Sequence, residues 1–162
     1  MIKVGILSDT HGTIHPRIVE LMNDCDYVIH AGDVMEEDSL EQINPRQRML
    51  AVRGNNDGHI ASLSDIESLD LPGGAIVVEH GHMHGHYEPS HESLRAAHPK
   101  AKAIIYGHTH VQVIDDKQSP WVINPGSAGP IRNYGGARCL LLTIENQEQW
   151  DIKPHIYDNV FS

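Results

Sequence analysis

The chain has 162 residues, 40% hydrophobic and 21% charged, with 14 glycines and 9 prolines, a composition that excludes fibrous and disordered classes and fits one globular domain. Its 22 acidic against 12 basic residues give a formal charge of −10, which excludes holding nucleic acid or an anionic membrane surface by bulk charge. No apolar run reaches the ~20 residues that span a bilayer, and the two cysteines, Cys25 and Cys139, both lie in apolar stretches, so the chain reads as a reduced cytoplasmic protein with no basic leader before its first strand.

The first apolar run, Ile2 to Ser8, stops abruptly at polar residues and reads as a strand. A helix follows from Pro16 to Asp24, where Pro16 suits a first-turn position and Ile18, Leu21, Met22 and Cys25 recur at three- and four-residue steps. Tyr27 to Ala31 is a second strand, Glu36 to Ile43 an acidic helical segment, and Met49 to Val52 a third strand. This βαβαβ opening predicts parallel neighbours joined by right-handed crossovers. Past Asp57, a polar connector leads to Leu69–Leu71, a Pro72-Gly73-Gly74 turn and Ala75–Glu79, the pattern of an antiparallel hairpin. A further helix is predicted near His91 to His98, closed by Pro99, before a buried strand at Ala103–Tyr106. The last third is poor in helix, with strands at Val111–Ile114, Trp121–Ile123, Cys139–Ile144 and Trp150–Ile156. No repeat, Pro-rich linker or low-complexity stretch divides the chain, so residues 1–162 read as a single α/β domain of mixed sheets covered by helices.

Thirteen histidines are many for this length, and imidazole is the commonest metal ligand. Ligands in α/β folds gather where strands end, and five strand ends here are polar: Asp9-Thr10-His11, Gly32-Asp33, Gly54-Asn55-Asn56-Asp57, His80-Gly81-His82 and Gly107-His108-Thr109-His110. Each fragment alone is ordinary turn chemistry; Asn55 in particular reads as a turn residue, and His84 and His86 as part of a solvated loop. Together they are informative, because turns built from Ser, Gly, Pro and Asp at will do not place metal-ligating residue types after five separate strands.

In that order, Asp9-x-His11, Gly32-Asp33, Gly54-Asn55-x-Asp57, His80-Gly81 and Gly107-His108-x-His110 resemble the motifs of the calcineurin-like metallophosphoesterases. The resemblance runs from residue 4 to about residue 130, and with the short chain, the lack of an inserted cap and the later Asn124-Pro125-Gly126-Ser127 it is similar to the small stand-alone phosphodiesterase branch. It implies a four-layer αββα sandwich of two mixed sheets flanked by helices, with no cap domain. It also implies one divalent ion between Asp9, His11, Asp33 and His110 and a second between Asp33, Asn55, His80 and His108. Asp33 as the shared ligand makes chemical sense, since a carboxylate has two oxygens to offer and an imidazole serves one cation. Mixed N/O donors suit manganese first, with Fe, Zn, Ni or Co as alternatives. Two divalent ions outweigh Asp9, Asp33 and a bridging hydroxide, so a phosphate ester is drawn locally against the overall negative charge. The implied reaction is hydrolysis of a small phosphate ester, as a phosphodiesterase, by hydroxide bridging two ions ~3.5–4 Å apart.

Ser127, through its loop, and Arg132, through its forked cation, are the predicted phosphate contacts. Many relatives carry histidine directly after the motif asparagine, where it protonates the leaving group; here the residue is Asn56, which can donate a hydrogen bond at the substrate but no proton. His82, and behind it His59, are the histidines left for that task. The rival readings are a non-catalytic scaffold of the same fold, as in one eukaryotic retromer subunit, and a His-rich metal buffer. No nucleic-acid-binding module or membrane segment is legible, and association into a homo-oligomer is left open.

Overall fold

The computed structural model describes residues 1–161. One sheet contains β1 (Ile2–Leu7), β2 (Tyr27–His30), β3 (Arg48–Ala51), β9 (Ala137–Asn146) and β10 (Gln149–Tyr157) in the order β10-β9-β1-β2-β3. The other contains β4 (Ile66–Leu71), β5 (Gly74–Glu79), β6 (Ala103–Ile105), β7 (Val113–Asp115) and β8 (Trp121–Asn124) in the order β4-β5-β6-β8-β7. Within them β1, β2 and β3 run parallel, as do β5, β6 and β8, while β9, β10, β4 and β7 add the antiparallel pairings.

Side-chain alternation sorts the strands into layers. Val4, Ile6 and Ile29 from the first sheet meet Ile76, Val78 and Ile105 from the second in a shared core between the sheets. The intervening residues face outward: Leu7, Val28 and Cys139 pack under α1 (Pro16–Asn23), and Ile104, Val122 and Val77 under Leu94 of α2 (His91–Ala97). These four layers are the αββα arrangement that the family resemblance implies. Each fully buried Ile or Val contributes roughly 1.5–3 kcal/mol relative to exposure, so the inter-sheet layer outweighs what two helices of two turns each add. Pro16 sits in the first turn of α1, where His15 Nδ1 accepts from the Arg17 amide at 3.1 Å. Gly5 lets that helix lie close on β1, since a Cβ there would stand 2.3 Å from Met22 Sδ.

Two elements differ from the sequence reading. The acidic segment forms a 3-10 turn, Glu37–Gln42, instead of an α-helix; it is one short stretch in which the Ser39 hydroxyl bonds the Glu36 carbonyl at 2.6 Å, competing with main-chain helical bonding. The strand expected from Val111 starts at Val113, because the Val111 main-chain amide turns back to Thr109 Oγ1 and the Gln112 side-chain amide donates to the Pro125 and Cys139 carbonyls. No helix among the described residues is long and apolar enough to cross a membrane.

Candidate metal centre

The carboxyl ends of the parallel strands of both sheets converge on one rim. The Asp9 amide donates to the Gly32 carbonyl at 2.9 Å and the His11 amide to the Asp33 carbonyl at 3.0 Å, which zips the loops after β1 and β2 together. Asp57 joins the third loop to them: its fully buried carboxylate accepts from the amides of Val34, Met35 and Gly54 at 3.0, 2.8 and 2.9 Å. Asp9, His11, Asp33, His108 and His110 all have positive φ, between 50° and 72°. Non-glycine residues adopt this conformation at a cost and concentrate it at functional sites.

The result is a closed ring of five donor atoms. His11 Nε2 lies 3.5 Å from Asp33 Oδ2, which lies 3.5 Å from His80 Nε2. His80 Nε2 is 3.8 Å from Asp9 Oδ1, Asp9 Oδ1 is 3.5 Å from His110 Nε2, and His110 Nε2 closes on His11 Nε2 at 3.3 Å. These spacings match the ~3.4 Å between neighbouring donors of a cation held tetrahedrally at about 2.1 Å. Two overlapping triads, Asp9/His11/His110 and Asp9/Asp33/His80, have their donor atoms within 4.8 Å of one another. Asp9 Oδ1 and His80 Nε2 are buried without a hydrogen-bond partner among the described residues, a costly state unless a cation takes them up. The rings are aimed from behind, with His80 Nδ1 2.7 Å from the Ala31 carbonyl oxygen and His110 Nδ1 2.6 Å from that of Ile131. Donation of the Nδ1 proton to those carbonyls presents Nε2 to the centre, as in metal-ligating histidines generally. The residues therefore fit divalent metal.

The sequence profile of the calcineurin-like phosphoesterase superfamily domain matches residues 2–147. The chain belongs to that superfamily. It is 31% identical to a probable metallophosphoesterase of Mycoplasma genitalium over 97% of this chain and 96% of the relative. It is 34% identical to a phosphodiesterase of Methanocaldococcus jannaschii over 76% and 82% of the two chains. Among solved structures, a Vps29 protein of Entamoeba histolytica superimposes with a TM-score of 0.79 over 97% of this chain and 99% of its own, at 19% identity, and so shares the fold.

In this calcineurin-like site the charges of the metal-free protein lean on one another. Burial pushes the Asp9 carboxyl up to about 7, against the opposing pull of His80 and the Ser8 hydroxyl. Burial also acts to raise Asp33, but the close approach and charge of His80, Nε2 3.5 Å from Oδ2, and two hydrogen bonds from Asn56 hold it well below the usual carboxylate range. His80 is buried, which lowers it, yet Asp33 and Asp9 together raise it to about 9. Burial lowers His11, and lowers His110 to about 4. A cationic His80 between two carboxylates thus stands where a metal's charge would stand.

Five of the seven expected ligands form the ring, and the other two lie beside it facing each other. His108 Nδ1 is 3.2 Å from Asn55 Oδ1, its Nε2 is 2.5 Å from the His86 carbonyl oxygen, and its ring centroid is 5.3 Å from that of His80. Asn56 is turned toward Asp33, with its main-chain amide 3.1 Å from Oδ1 and its side-chain amide donating to Oδ2 at 2.9 Å. Ser127, expected at the phosphate, is fully buried and donates to the Asp9 carbonyl at 3.0 Å, bracing the first loop. Arg132 stands over the site, Nη2 3.4 Å from His110 Nε2. His82 packs its ring 5.5 Å from His80 and 6.3 Å from His108, with a buried Nδ1 lacking a partner, and burial lowers its pKa. His59 is held at the Met35 carbonyl, Nε2 to O 2.6 Å.

Sequence reasoning passed over Asp57 and Ser8 as working parts. Ser8 donates to Asp9 Oδ2 at 2.7 Å. Three glycines give the carboxylates and rings room: a Cβ on Gly54 would stand 2.1 Å from Asp33 Oδ1, on Gly107 2.6 Å from Asp9 Oδ2, and on Gly32 2.6 Å from His80 Nδ1. The recurring Gly directly before Asp33, Asn55 and His108 is the one sequence signal of that crowding.

Proposed function

We propose that this chain is a cytoplasmic, single-domain, two-metal phosphodiesterase without a cap that hydrolyses a small phosphate ester. The observation that carries the reading is the closed ring of Asp9, His11, Asp33, His80 and His110, in which two buried donor atoms have no hydrogen-bond partner among the described residues. One ion would be held by Asp9, His11, Asp33 and His110, the other by Asp33, Asn55, His80 and His108, with Asn55 and His108 turning from each other onto it; manganese suits the donors first, then Fe, Zn, Ni or Co. When bound, two such ions acidify an attacking water and neutralise charge on the phosphoryl oxygens.

The chain's own residues supply the rest. Asn56 keeps Asp33 ionised and oriented through its two hydrogen bonds. Arg132 adds a forked cation on the open side of His110, suited to a phosphoryl oxygen. His82 borders the site near His80 and His108, within reach of the task of protonating a departing group. The thiols stay out of the chemistry, as burial raises Cys25 to about 11 and Cys139 to about 12.

The test is to strip the protein of metal, restore manganese, and measure hydrolysis of bis(p-nitrophenyl) phosphate beside p-nitrophenyl phosphate. Metal-dependent cleavage favouring the diester, lost in Asp33→Ala and His80→Ala, is the expected result. Calorimetric filling of the site by metal with no hydrolysis of either ester would overturn the enzyme reading in favour of a scaffold.

A further inference from the structure

A cleft of about 460 Å³ opens beside the metal centre, and His108 and Arg132 form part of its wall. Tyr87, Tyr106, Tyr134, Val111 and Val113 supply an aromatic and apolar part of the wall, beside the polar His86, Glu88 and Thr109. Three of these are large hydrophobic side chains left in solvent: Tyr87 is 88% exposed, Tyr134 57% and Val111 46%. Single exposed apolar residues need no explanation, but three around one cleft that reaches the reacting centre do.

Tyr134 is held there at a cost. Arg132 and Tyr134 both have positive φ, 46° and 53°, in a loop fastened by the Arg138 guanidinium on the Tyr134 carbonyl at 3.1 Å and by the Asn133 amide on the Gly129 carbonyl at 3.1 Å. The carbonyl of His86 sits 2.5 Å from His108 Nε2, tying the Tyr87 loop to a site residue. The rings of His86 and Tyr87 stand nearly perpendicular with centroids 4.7 Å apart, and Tyr87 keeps most of its surface in solvent. Strained or tethered backbone that presents exposed aromatic rings next to a phosphate site is the construction of a stacking platform.

We propose that this cleft is the subsite for a flat aromatic substituent of the ester, with Tyr87 and Tyr134 as its stacking faces and the phosphoryl group lying at the His108 and Arg132 end. The inference rests on the phosphoesterase reading for the position of the phosphate. The shared chemistry is a planar π-system, supplied either by an aryl group or by a nucleobase, and Glu88 in the wall offers a carboxylate to the N–H edge of the latter.

The experiment measures binding without turnover, titrating manganese-loaded protein calorimetrically with methyl phosphate, phenyl phosphate and thymidine 5′-monophosphate. Both aromatic monoesters are expected to bind roughly tenfold or more tighter than methyl phosphate, the usual scale of one stacking contact. A further gain of the nucleotide over phenyl phosphate assigns the cleft to nucleobases; parity assigns it to aryl groups. Tyr87→Ala should collapse the phenyl-to-methyl ratio toward one and Tyr87→Phe should keep it, since the ring and not the hydroxyl stacks. Tyr134→Ala repeats the test on the second ring, and Met83→Ala, 82% exposed and outside the cleft, serves as the control that keeps the ratio. Equal or absent binding of the three ligands by the unsubstituted protein, or a ratio that survives both alanine variants, overturns the subsite. Aromatic-selective binding by a protein that hydrolyses no ester would overturn the enzyme reading and leave the subsite standing; diester hydrolysis with no aromatic selectivity would do the reverse.

Discussion

Lowering the pH should expel metal from this site far more steeply than titration of ordinary histidines would. In the metal-free protein His80 carries a proton below about 9 and Asp9 below about 7, and both groups must give up that proton to act as ligands. Burial lowers His110 to about 4 and lowers His11 as well, so both shifts favour the neutral ring that a metal needs. Metal binding therefore releases about one proton at pH 8 and approaches two at pH 6. Integrated between those limits, His80 contributes a factor near 90 and Asp9 a factor near 10, so affinity should fall roughly a thousandfold, about 4 kcal/mol, from pH 8 to pH 6. Calorimetric titration with manganese in pairs of buffers that differ in ionisation enthalpy counts the released protons directly. An affinity flat between pH 6 and 8, or no proton release at pH 8, would refute the charge assignment of His80.

Asp57→Asn replaces one acceptor oxygen by an amide that must face a buried N–H, and should cost about 3 kcal/mol in urea denaturation; an unchanged midpoint would show that the clamp on Val34, Met35 and Gly54 is dispensable. Gly107→Ala places a Cβ 2.2 Å from Ser8 Oγ and 2.6 Å from Asp9 Oδ2, and should weaken manganese binding about 10- to 100-fold while the fold persists; unaltered affinity in a folded variant contradicts the crowding. Because the amide of Asn56 is engaged with Asp33 and carries no transferable proton, hydrolysis of a series of aryl phosphodiesters should rise steeply as leaving-group pKa falls, general acid help of about 10²- to 10⁴-fold being absent. A flat dependence with phosphorus–oxygen cleavage rate-limiting would mean that another residue protonates the leaving group, and steepening in His82→Ala would identify it.

Much of the fold was legible because its strands are short apolar runs that stop sharply, as at Leu7, His30 and Ile105. The layers follow from simple alternation along those runs, Val4 and Ile6 inward and Leu7 outward. What the sequence misjudged lay where side chains compete with main chain: Ser39 tightening a helix into a 3-10 turn, Thr109 and Gln112 delaying β7. The ring residues could be singled out because they follow separate strands. Their left-handed backbone could not, since Asp and His carry no marker for positive φ as Gly does. Nor could the pairing of Asn56 with Asp33 or of Ser127 with Asp9, because these contacts join loops far apart in the chain and depend on how the two sheets dock.

The position of β1 has a consequence for how the protein is made. It lies in the middle of its sheet, between β2, which follows it closely, and β9, where Ile2 pairs with Ile144. As the polypeptide leaves the ribosome, one flank of β1 stays open until residues 137–146 have been synthesised. The loop bearing Asp9 and His11 springs from that same strand. Metal uptake on a growing polypeptide should accordingly be a late event, and stalled chains lacking β9 should be prey to proteases and chaperones whether or not metal is abundant.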